Sequence, residues 1–549
     1  MTETDLIVVG AGLAGLVAAA EAADRGIQVA ILDQEPEQSL GGQAFWSLGG
    51  LFLVDTPEQR RLRVNDSVEL AWNDWLSTAA FDREEDHWPR QWAKAYVDFS
   101  AGDMHSWLCE QGMSFFPVVG WAERGEGRGK GQGNSVPRFH IAWGTGHGVI
   151  EPFVRRVQEH VGKGRIKLYF RHRVTSLVTS NGAVSGVTGE LLAPDGVERG
   201  KPSNRTVEGR FEFSAPQAIV CAGGIGANIK RIRANWPTQR IGPMPRHMLC
   251  GVPAHVDGMM HDVAEAAGAR LINTDRMWHY TEGVTNWNPI WPSHGIRILP
   301  GPSSMWLDAE GNRMPFNCLP GFDTLGTLKH ICSTGYDYSW FVLTQKIIEK
   351  EFALSGSEQN PDLTSKSWLQ VLKSRLGKGA TPAVEAFKKH GEDFFVAGSL
   401  PELVERMNDS TEKPLISLEK LHQIIGSRDE EMLTGMPRDP QITAIREARS
   451  YWGDKLVRTS KLHPLLDPDA GPLIAVKLHI LTRKSLGGIH TDLDARVLDN
   501  TGVPIPGLFA AGEVAGFGGG GYHGYAALEG TFLGGCIFSG RVAGRSVSN

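Results

Sequence analysis

The sequence has few of the features that mark several large protein classes. Its six cysteines are scattered without a Cys-x-x-Cys pair, so we predict neither a disulfide framework nor a metal site, and expect reduced thiols in a cytoplasmic protein. No apolar run is long enough to span a membrane, and the first motif begins too close to Met1 for a signal peptide. The net charge of −6 gives no sign of nucleic-acid binding. A globular protein without a nucleic-acid partner is therefore predicted, and attachment to a membrane surface stays open.

Glycine, by contrast, is abundant. The chain has 66 glycines in 549 residues, well above the average usage of about 7%. They form no periodic repeat and cluster in turns, which fits a large ligand held by backbone groups. A chain of this length is too long for one ordinary core, so we expect two or more domains.

The most informative stretch is residues 7–33, which read as a strand, a glycine turn, a helix and a second strand that ends in a carboxylate. Gly10 allows the tight turn, Gly12 leaves room for a pyrophosphate, and Gly15 lets the helix pack close to the strand. The helix N-terminus offers free N–H groups and a positive dipole end to phosphates. Asp33 is placed to accept hydrogen bonds from a ribose, which disfavours the 2′-phosphate of NADP. The motif predicts a dinucleotide ligand, FAD or NAD(P).

The rest of the chain suggests a discontinuous α/β architecture. Residues 1–235 and 480–549 read as one Rossmann-like domain, because their apolar strands run into glycine turns. Residues 236–479 are rich in tryptophan and proline, carry amphipathic helices, and read as an inserted α+β cap domain for the substrate. Residues 122–134 are too glycine-rich and charged to pack a core, and we interpret them as a surface loop or a flap over the site.

Several motifs together carry a resemblance to a known family. Besides residues 7–33 they are Gly41–Gln43 and residues 222–228, 487–492 and 506–513. The chain resembles the FAD-dependent oxidoreductases that include fumarate reductase and succinate dehydrogenase flavoproteins and 3-ketosteroid dehydrogenases. The inserted region is most similar to a subgroup called predicted FAD-binding dehydrogenases. The resemblance covers nearly the whole chain and implies FAD as the cofactor, a Rossmann-like FAD-binding domain and an inserted cap.

The resemblance also implies roles for individual residues. Glu513 would accept hydrogen bonds from the flavin ribityl chain, and Val174 would face the adenine through its backbone. A helix that begins near Gly530 would stabilise negative charge on the reduced flavin. The expected FAD-binding residues are Gly10, Ala11, Gly12, Leu13, Ala14, Gly15, Asp33, Gln34, Gly41, Gly42, Gln43, Ala44, Ser47, Gly49, Gly50, Val174, Ala222, Gly223, Gly224, Asn228, Gly512, Glu513, Gly530, Thr531 and Phe532.

The sequence departs from the dicarboxylate members of the family at positions that bind substrate. Their His-Gly-x-x-Arg motif is matched here by the stretch that starts at His523 and has Ala527 at the arginine position. Glycine falls near the position of their proton-transferring arginine, and Lys484 replaces a histidine before the Gly-Gly pair. A dianion needs several fixed cations to offset its desolvation. The pattern therefore disfavours fumarate and succinate.

Ketosteroid dehydrogenases use tyrosines instead, one to polarise the carbonyl and one to take a proton. This chain has only eight tyrosines. Tyr522 is the best positional match, and His523 competes with it because the match is ambiguous by one residue. Tyr336, Tyr338 and Tyr280 in the insert complete the catalytic candidates.

We therefore predict an FAD-dependent oxidoreductase acting on CH–CH groups. It would be a dehydrogenase or reductase of a carbon–carbon bond next to a carbonyl, similar to ketosteroid dehydrogenases, with an apolar substrate that could be ring-shaped. The alternatives are a fumarate reductase-like dicarboxylate oxidoreductase and a flavin-binding electron carrier without small-molecule turnover. The expected partners are a small-molecule substrate, an electron acceptor of unknown identity and, as an open option, a second copy of the chain.

Overall fold

The computed structural model describes residues 2–125 and 133–548. Its strands are β1 (Thr2–Glu3), β2 (Leu6–Val9), β3 (Val29–Leu32), β4 (Gly50–Phe52), β5 (Phe139–Ile141), β6 (Ile166–Tyr169), β7 (His172–Ser180), β8 (Ala183–Leu192), β9 (Val207–Ser214), β10 (Gln217–Val220), β11 (Leu249–Cys250), β12 (Leu271–Ile272), β13 (Met277–Thr285), β14 (Gly295–Leu299), β15 (Met305–Asp308), β16 (Tyr338–Thr344), β17 (Ala353–Leu354), β18 (Phe394–Ala397), β19 (Leu473–Ser485), β20 (Gly488–Ile489), β21 (Arg496–Leu498) and β22 (Pro504–Ala510).

The helices connect these strands and cover their faces. They are α1 (Leu13–Asp24), α2 (Pro57–Arg61), α3 (Val68–Ala79), α4 (His87–Ala101), α5 (Met104–Glu110), α6 (Thr145–Gly162), α7 (Ile229–Ala234), α8 (Thr238–Ile241), α9 (Met259–Ala266), α10 (Thr324–Ser333), α11 (Gln345–Glu351), α12 (Pro361–Thr364), α13 (Trp368–Leu376), α14 (Pro382–His390), α15 (Leu400–Asp409), α16 (Leu418–Leu433), α17 (Pro440–Ala448), α18 (Trp452–Val457) and α19 (Thr531–Ser546). Among the described residues, no helix combines the length and the apolar character needed to cross a membrane.

A six-stranded sheet in the order β21-β22-β10-β2-β3-β6 forms the centre of the first domain. The strands from β22 to β6 are parallel, and β21 is antiparallel to its neighbour. The parallel strands β2 and β3 are buried at every residue, which explains why their sequences are continuous apolar runs. The alanine-rich helix α1 packs between this sheet and α19. This arrangement confirms the predicted Rossmann-like fold.

A second sheet in the order β1-β9-β8-β7 lies beside the first. Side chains of β7 and β8 share an apolar cluster with β2, β10 and helix α9. Helix α9 belongs to the segment that we assigned to the cap, so part of this segment packs with the nucleotide domain. The FAD-binding domain therefore draws on residues beyond the predicted boundary at 235.

The inserted segment builds an eight-stranded sheet in the order β15-β16-β19-β13-β14-β17, with β11 and β18 also paired to β19. Strand β19 pairs with β16 from Leu473 to His479 and with β13 from His479 to Ser485. It therefore crosses the predicted boundary between residues 479 and 480. As a result, Arg483 and Lys484 reach the site from the cap sheet.

The predicted glycine-rich loop at residues 122–134 lies partly outside the described residues. Its two described ends meet, because the backbone N–H of Asn134 donates to the carbonyl oxygen of Glu123 at 2.5 Å. The Glu123 side chain is buried and accepts hydrogen bonds from the backbone N–H and the hydroxyl of Thr324. This end of the loop is therefore fixed to the cap helix α10.

Candidate functional site

One cavity extends from the glycine turn after β2 to the side chains of the cap sheet. Gly10, Gly12 and Asp33 line it at one end, and Tyr280 and Glu529 line it at the other. A ligand held at the glycine turn and a ligand held against the cap would therefore share one continuous space.

The glycine turn has the geometry that a pyrophosphate needs. Gly10 has φ +105°, and a Cβ on Gly15 would lie 2.0 Å from the carbonyl oxygen of Gly10. Gly12 differs, because a Cβ built on it meets no protein atom within 4 Å and Gly12 lines the cavity. Glycines 10 and 15 thus serve the packing of strand against helix, while Gly12 keeps the helix N-terminus open to a ligand. These residues fit the pyrophosphate of FAD.

Gly12→Val tests this division of roles. The backbone of Gly12 is extended, with φ −75° and ψ 178°, so valine fits the fold and its side chain enters the cavity. Without FAD, we expect the variant to have the same melting temperature as the wild-type apoprotein. Its affinity for FAD should be at least about 100-fold weaker. Flavin fluorescence titration of the apoprotein measures the affinity. Gly15→Ala is the contrasting variant, which should lose folding stability; stoichiometric FAD in purified Gly12→Val would contradict the assignment.

Asp33 follows β3 and lines the same end of the cavity. Its Oδ2 accepts a hydrogen bond from the Ala11 backbone N–H at 2.6 Å, and its Oδ1 accepts one from the Glu35 backbone N–H at 2.7 Å. Asp33 therefore ties the glycine turn to the end of β3. The carboxylate oxygens retain lone pairs for a ribose.

Glu513 is held in place by three neighbours at the middle of the cavity. Gln43 Nε2 donates to its Oε2 at 2.7 Å, and the Ser485 backbone N–H donates to its Oε1 at 2.9 Å. Lys484 Nζ lies 3.5 Å from Oε2 and donates to Gln43 Oε1 at 2.5 Å. A Cβ on Gly224 would lie 2.4 Å from Glu513 Oε1, so glycine there makes room for the carboxylate. Burial lowers the pKa of Lys484, and the charge of Glu513 opposes this shift.

Helix α19 begins at the cavity wall. Its N-cap residue Gly530 has φ +94°, and a Cβ there would lie 2.6 Å from the backbone nitrogen of Phe52. Gly530 and Phe532 both line the cavity. The positive end of this 16-residue helix therefore faces the ligand space, as does the N-terminus of α1.

Most of the predicted FAD-binding residues line this cavity, although their contacts with FAD stay a prediction. They are Gly10, Gly12, Leu13, Ala14, Asp33, Gln34, Gly42, Gln43, Ala44, Ser47, Gly49, Gly50, Val174, Ala222, Gly223, Gly512, Glu513, Gly530 and Phe532.

Six of the predicted FAD-binding residues do not line the cavity. Ala11, Gly15, Gly41 and Gly224 pack against other backbone or hold lining residues in place. Asn228 caps helix α7, since its Oδ1 accepts a hydrogen bond from the Arg231 N–H at 3.0 Å. The Thr531 hydroxyl donates to the Leu528 carbonyl oxygen. The sequence placed these residues near the cofactor without showing which way their side chains turn.

The inserted segment supplies lining residues that the sequence did not predict. His255, Val256, Met259 and Met260 line the cavity from the start of α9. We had assigned this segment to the cap. The Nδ1 of His255 lies 3.8 Å from Glu35, which is close to the ribose end of the site. No local motif marks these residues.

Tyr280 lies on β13 and lines the cap end of the cavity. Within residues 2–125 and 133–548, its hydroxyl group has no hydrogen-bond partner, whereas the buried hydroxyls of Tyr96 and Tyr522 donate to backbone carbonyl oxygens. Burial raises the pKa of Tyr280, so its hydroxyl stays protonated at neutral pH. Tyr280 therefore offers a hydrogen-bond donor to a ligand in the cavity.

Tyr522 and His523 do not line the cavity, which corrects their expected position. The Tyr522 hydroxyl donates to the Thr531 carbonyl oxygen at 2.5 Å, and His523 Nε2 lies 2.8 Å from the Thr531 hydroxyl. Both side chains are fully buried, and the ring of Phe517, which packs against both of them, lines the cavity. A Cβ on Gly535 would lie 2.3 Å from the Tyr522 hydroxyl oxygen, so helix α19 is shaped to receive this tyrosine.

Tyr336 and Tyr338 also lie away from the cavity. Tyr338 starts β16 opposite His479, and its ring centroid is 4.8 Å from Lys477 Nζ. The ring of Tyr336 packs against Tyr338 with a centroid distance of 6.0 Å. The two tyrosines thus contact each other at the cap sheet, and neither lines the cavity.

Arg297 on β14 lies at the centre of a charged cluster whose acidic members the sequence does not identify. Its Nη1 is 2.7 Å from Glu529 Oε1, its Nε is 3.5 Å from Glu282 Oε2, and its Nη2 is 3.6 Å from Glu123 Oε1. Its guanidinium carbon also lies 3.8 Å from the ring centroid of Tyr280. One cation therefore faces three carboxyl groups beneath the cap wall. The three partners are 15 to 232 residues away in sequence, so no local motif brings them together.

Burial favours the protonated form of two carboxyl groups in this cluster. Burial raises the pKa of Glu123 to about 8, and the Arg297 charge only partly opposes this effect. Burial likewise raises the pKa of Glu282. Among the three carboxyl groups of the cluster, Glu529 is the one that lines the cavity, next to Arg297, so it is the carboxyl group that a substrate would meet.

The cap end of the cavity also contains Arg483. Its Nη1 donates to the Ser355 hydroxyl oxygen at 3.3 Å. No carboxylate lies within 4 Å of its guanidinium in the described part of the chain. Arg297 and Lys484, in contrast, both lie beside carboxylates. Of the four tyrosines predicted as catalytic candidates, Tyr280 lines this end of the cavity, together with two arginines, Arg297 and Arg483.

Comparison with known proteins gives a consistent result. The family described as FAD binding domain matches residues 5–533. A KsdD-like steroid dehydrogenase of Mycobacterium tuberculosis is 60% identical over 544 residues, which cover 99% of this chain and 95% of that protein.

Solved structures share the fold along the whole chain. A 3-ketosteroid Δ1-dehydrogenase from Sterolibacterium denitrificans, in complex with 1,4-androstadiene-3,17-dione, has a TM-score of 0.67 at 15% identity and covers 99% of each chain. The open conformation of a flavocytochrome c3 fumarate reductase has a TM-score of 0.63 at 20% identity and covers 100% of this chain and 78% of that one. These similarities confirm the predicted α/β fold with an inserted cap.

Proposed function

The chain belongs to the FAD binding domain family, and on this basis we propose that it is an FAD-dependent steroid dehydrogenase. It would oxidise a carbon–carbon bond next to the carbonyl group of a 3-ketosteroid, or catalyse the reverse reduction. The observation that carries the proposal is the free hydroxyl of Tyr280 on strand β13. This hydroxyl lies at the cap end of the cavity whose other end is the glycine turn of the FAD site. The 60% identity to a KsdD-like steroid dehydrogenase supports the substrate class.

The residues at the cap end of the cavity suit the two steps of this reaction, which are the transfer of a hydride and the transfer of a proton. Bound FAD supplies a hydride acceptor. Tyr280, kept protonated by burial, donates a hydrogen bond to the carbonyl oxygen and stabilises the enolate that forms there. Glu529, held by Arg297 at 2.7 Å, accepts the proton from the carbon next to the one that loses hydride. The apolar residues Leu48, Leu299 and Phe139 exclude water around the substrate rings.

The charges in the site disfavour a dicarboxylate substrate. A dianion needs two or more cations that are free to pair with it. In the described part of the chain, Arg297 and Lys484 already lie beside Glu529 and Glu513, and Arg483 is the cavity arginine without a carboxylate neighbour. The carboxylate of Glu529 would also repel the dianion. An electron carrier without a small-molecule substrate is disfavoured, because the cavity extends beyond the expected FAD-binding residues to the cap and leaves room for a substrate.

Anaerobic mixing of the holoenzyme with 3-ketosteroids tests the proposal. Oxidation of the steroid should bleach the flavin absorbance within seconds of mixing. Mass spectrometry should show that the steroid has lost two hydrogen atoms, as expected for a new double bond. Fumarate with a reduced viologen dye is the comparison for the dicarboxylate reaction. Fumarate reduction together with no bleaching by any 3-ketosteroid would overturn the proposal.

We also propose that the protein works in the cytoplasm with a separate electron acceptor. The thiols of Cys109, Cys221, Cys250, Cys318, Cys332 and Cys536 are all unpaired, which suits a reducing compartment.

A further inference from the structure

Helix α13 exposes three large apolar side chains in a short stretch of surface. Leu369 is 81% exposed, Leu372 is 51% exposed and Trp368 is 49% exposed. The inner part of the Trp368 ring stacks on Trp143 at a centroid distance of 4.4 Å, which fixes the helix to the body of the protein. Large apolar tips of this kind in one exposed helical turn are unusual on a surface that faces only water.

The same stretch carries only positive charge. Residues 363–380 contain four cations and no acidic residue. Lys366 pairs with Glu151 and Arg375 pairs with Asp362, at 2.7 Å each. Lys373 and Lys378 are exposed and, among the described residues, lie in no ion pair. We call Trp368, Leu369, Leu372, Lys373 and Lys378 the α13 patch.

The buried face of α13 leads towards the substrate end of the cavity. Val371 packs in an apolar cluster with Leu363, Leu48 and Leu299. Leu48 and Leu299 also line the cavity. Helix α13, whose outer face carries the α13 patch, therefore packs on residues that line the apolar side of the cavity.

We propose that the α13 patch binds the surface of an anionic lipid bilayer. Trp368, Leu369 and Leu372 would enter the level of the lipid headgroups, and Lys373 and Lys378 would pair with lipid phosphates. Tryptophan, leucine and lysine in this arrangement match the composition of helices that lie in a membrane interface. The acids next to this stretch, Glu151 and Asp362, are paired with Lys366 and Arg375, so they add little repulsion towards an anionic surface. An apolar substrate dissolved in the bilayer would then lie next to the cap end of the cavity.

Vesicle flotation of the FAD-loaded full chain tests this proposal independently of turnover. The probes are vesicles of equal parts phosphatidylcholine and phosphatidylglycerol, and vesicles of phosphatidylcholine alone. Leu369→Ser with Leu372→Ser removes the apolar tips, and Lys373→Glu with Lys378→Glu reverses the charge. The matched control is Leu433→Ser with Met436→Ser, since these residues are 74% and 86% exposed at the end of α16 beside Glu430 and Glu431.

We expect the wild type and the control variant to float with anionic vesicles, and each α13 variant to lose at least about tenfold in bound fraction. High salt and phosphatidylcholine vesicles should weaken binding in the same direction. Equal flotation of all variants, or none by the wild type, would overturn the proposal. It would also be overturned if light scattering shows a dimer that the α13 variants convert to a monomer, because a second copy would then cover the patch. The charge variant changes only exposed side chains, so it keeps the test valid if the serine variant misfolds.

Discussion

Tyr280→Phe is expected to lower the rate of flavin reduction by a 3-ketosteroid by about 10²–10³-fold, because it removes one donor to the enolate oxygen. The ring and its contact with the Arg297 guanidinium at 3.8 Å are kept, so the fold and the FAD content should not change. Anaerobic stopped-flow measurement of the flavin absorbance separates this step from reoxidation. The loss should fall on the reduction rate at saturating steroid rather than on steroid affinity alone.

Two other tyrosines supply controls for this variant. Tyr338→Phe changes a tyrosine on the cap sheet that lies away from the cavity, and flavin reduction should keep its wild-type rate. Tyr522→Phe removes the hydrogen bond to the Thr531 carbonyl oxygen, so it should lower the free energy of unfolding by about 1–3 kcal/mol. A reduction rate that falls in Tyr522→Phe and not in Tyr280→Phe would return the catalytic role to the tyrosine that the sequence favoured.

The FAD cradle could be predicted from the sequence because its determinants are local. The spacing of Gly10, Gly12 and Gly15 specifies a turn between a strand and a helix, and the structure assigns each glycine the role that its position implies. Glu513 follows a buried strand and a glycine, so its place at the carboxyl end of the parallel sheet also follows from local order. The division of the chain into two domains stays a prediction, and β19 and α9 cross its expected boundaries.

The residues at the cap end of the cavity could not be predicted, because their positions depend on contacts between distant parts of the sequence. The direction of Tyr522 is decided by the space that Gly535 leaves in α19, not by the glycines before the tyrosine. Arg297 and Glu529 are 232 residues apart and meet only after the cap sheet closes over the nucleotide domain. A single sequence shows that an arginine is present, but not that three carboxyl groups will surround it. The sequence therefore predicted a cofactor and a reaction type better than it predicted the residues that meet the substrate.

Arg297→Met is expected to reduce the free energy of unfolding by about 3–5 kcal/mol at neutral pH, because it leaves buried carboxylates without their cation. The side chains of Arg297 and Glu529 are 4% and 8% exposed, so water cannot replace the lost pairing. Arg406→Met is the matched control. Its Nη2 lies 2.7 Å from Glu402, the same distance as in the buried pair, but the side chains are 51% and 41% exposed. The control should change stability by less than about 0.5 kcal/mol.

The loss in Arg297→Met should depend on pH with a defined sign. Burial raises the pKa of Glu123 from 4.5 to about 8, so its contribution to stability is fully present below 4.5 and is lost as the pH rises through 8. Removal of Arg297 takes away the charge that opposes the raised pKa of Glu123 and of Glu282, so the loss of stability should be smaller near pH 5 and largest above neutral pH. Urea unfolding of both proteins across this range measures the difference. Equal destabilisation at every pH would mean that Arg297 acts through packing alone. Partial recovery in Arg297→Met combined with Glu123→Gln would show that the excess negative charge causes the loss.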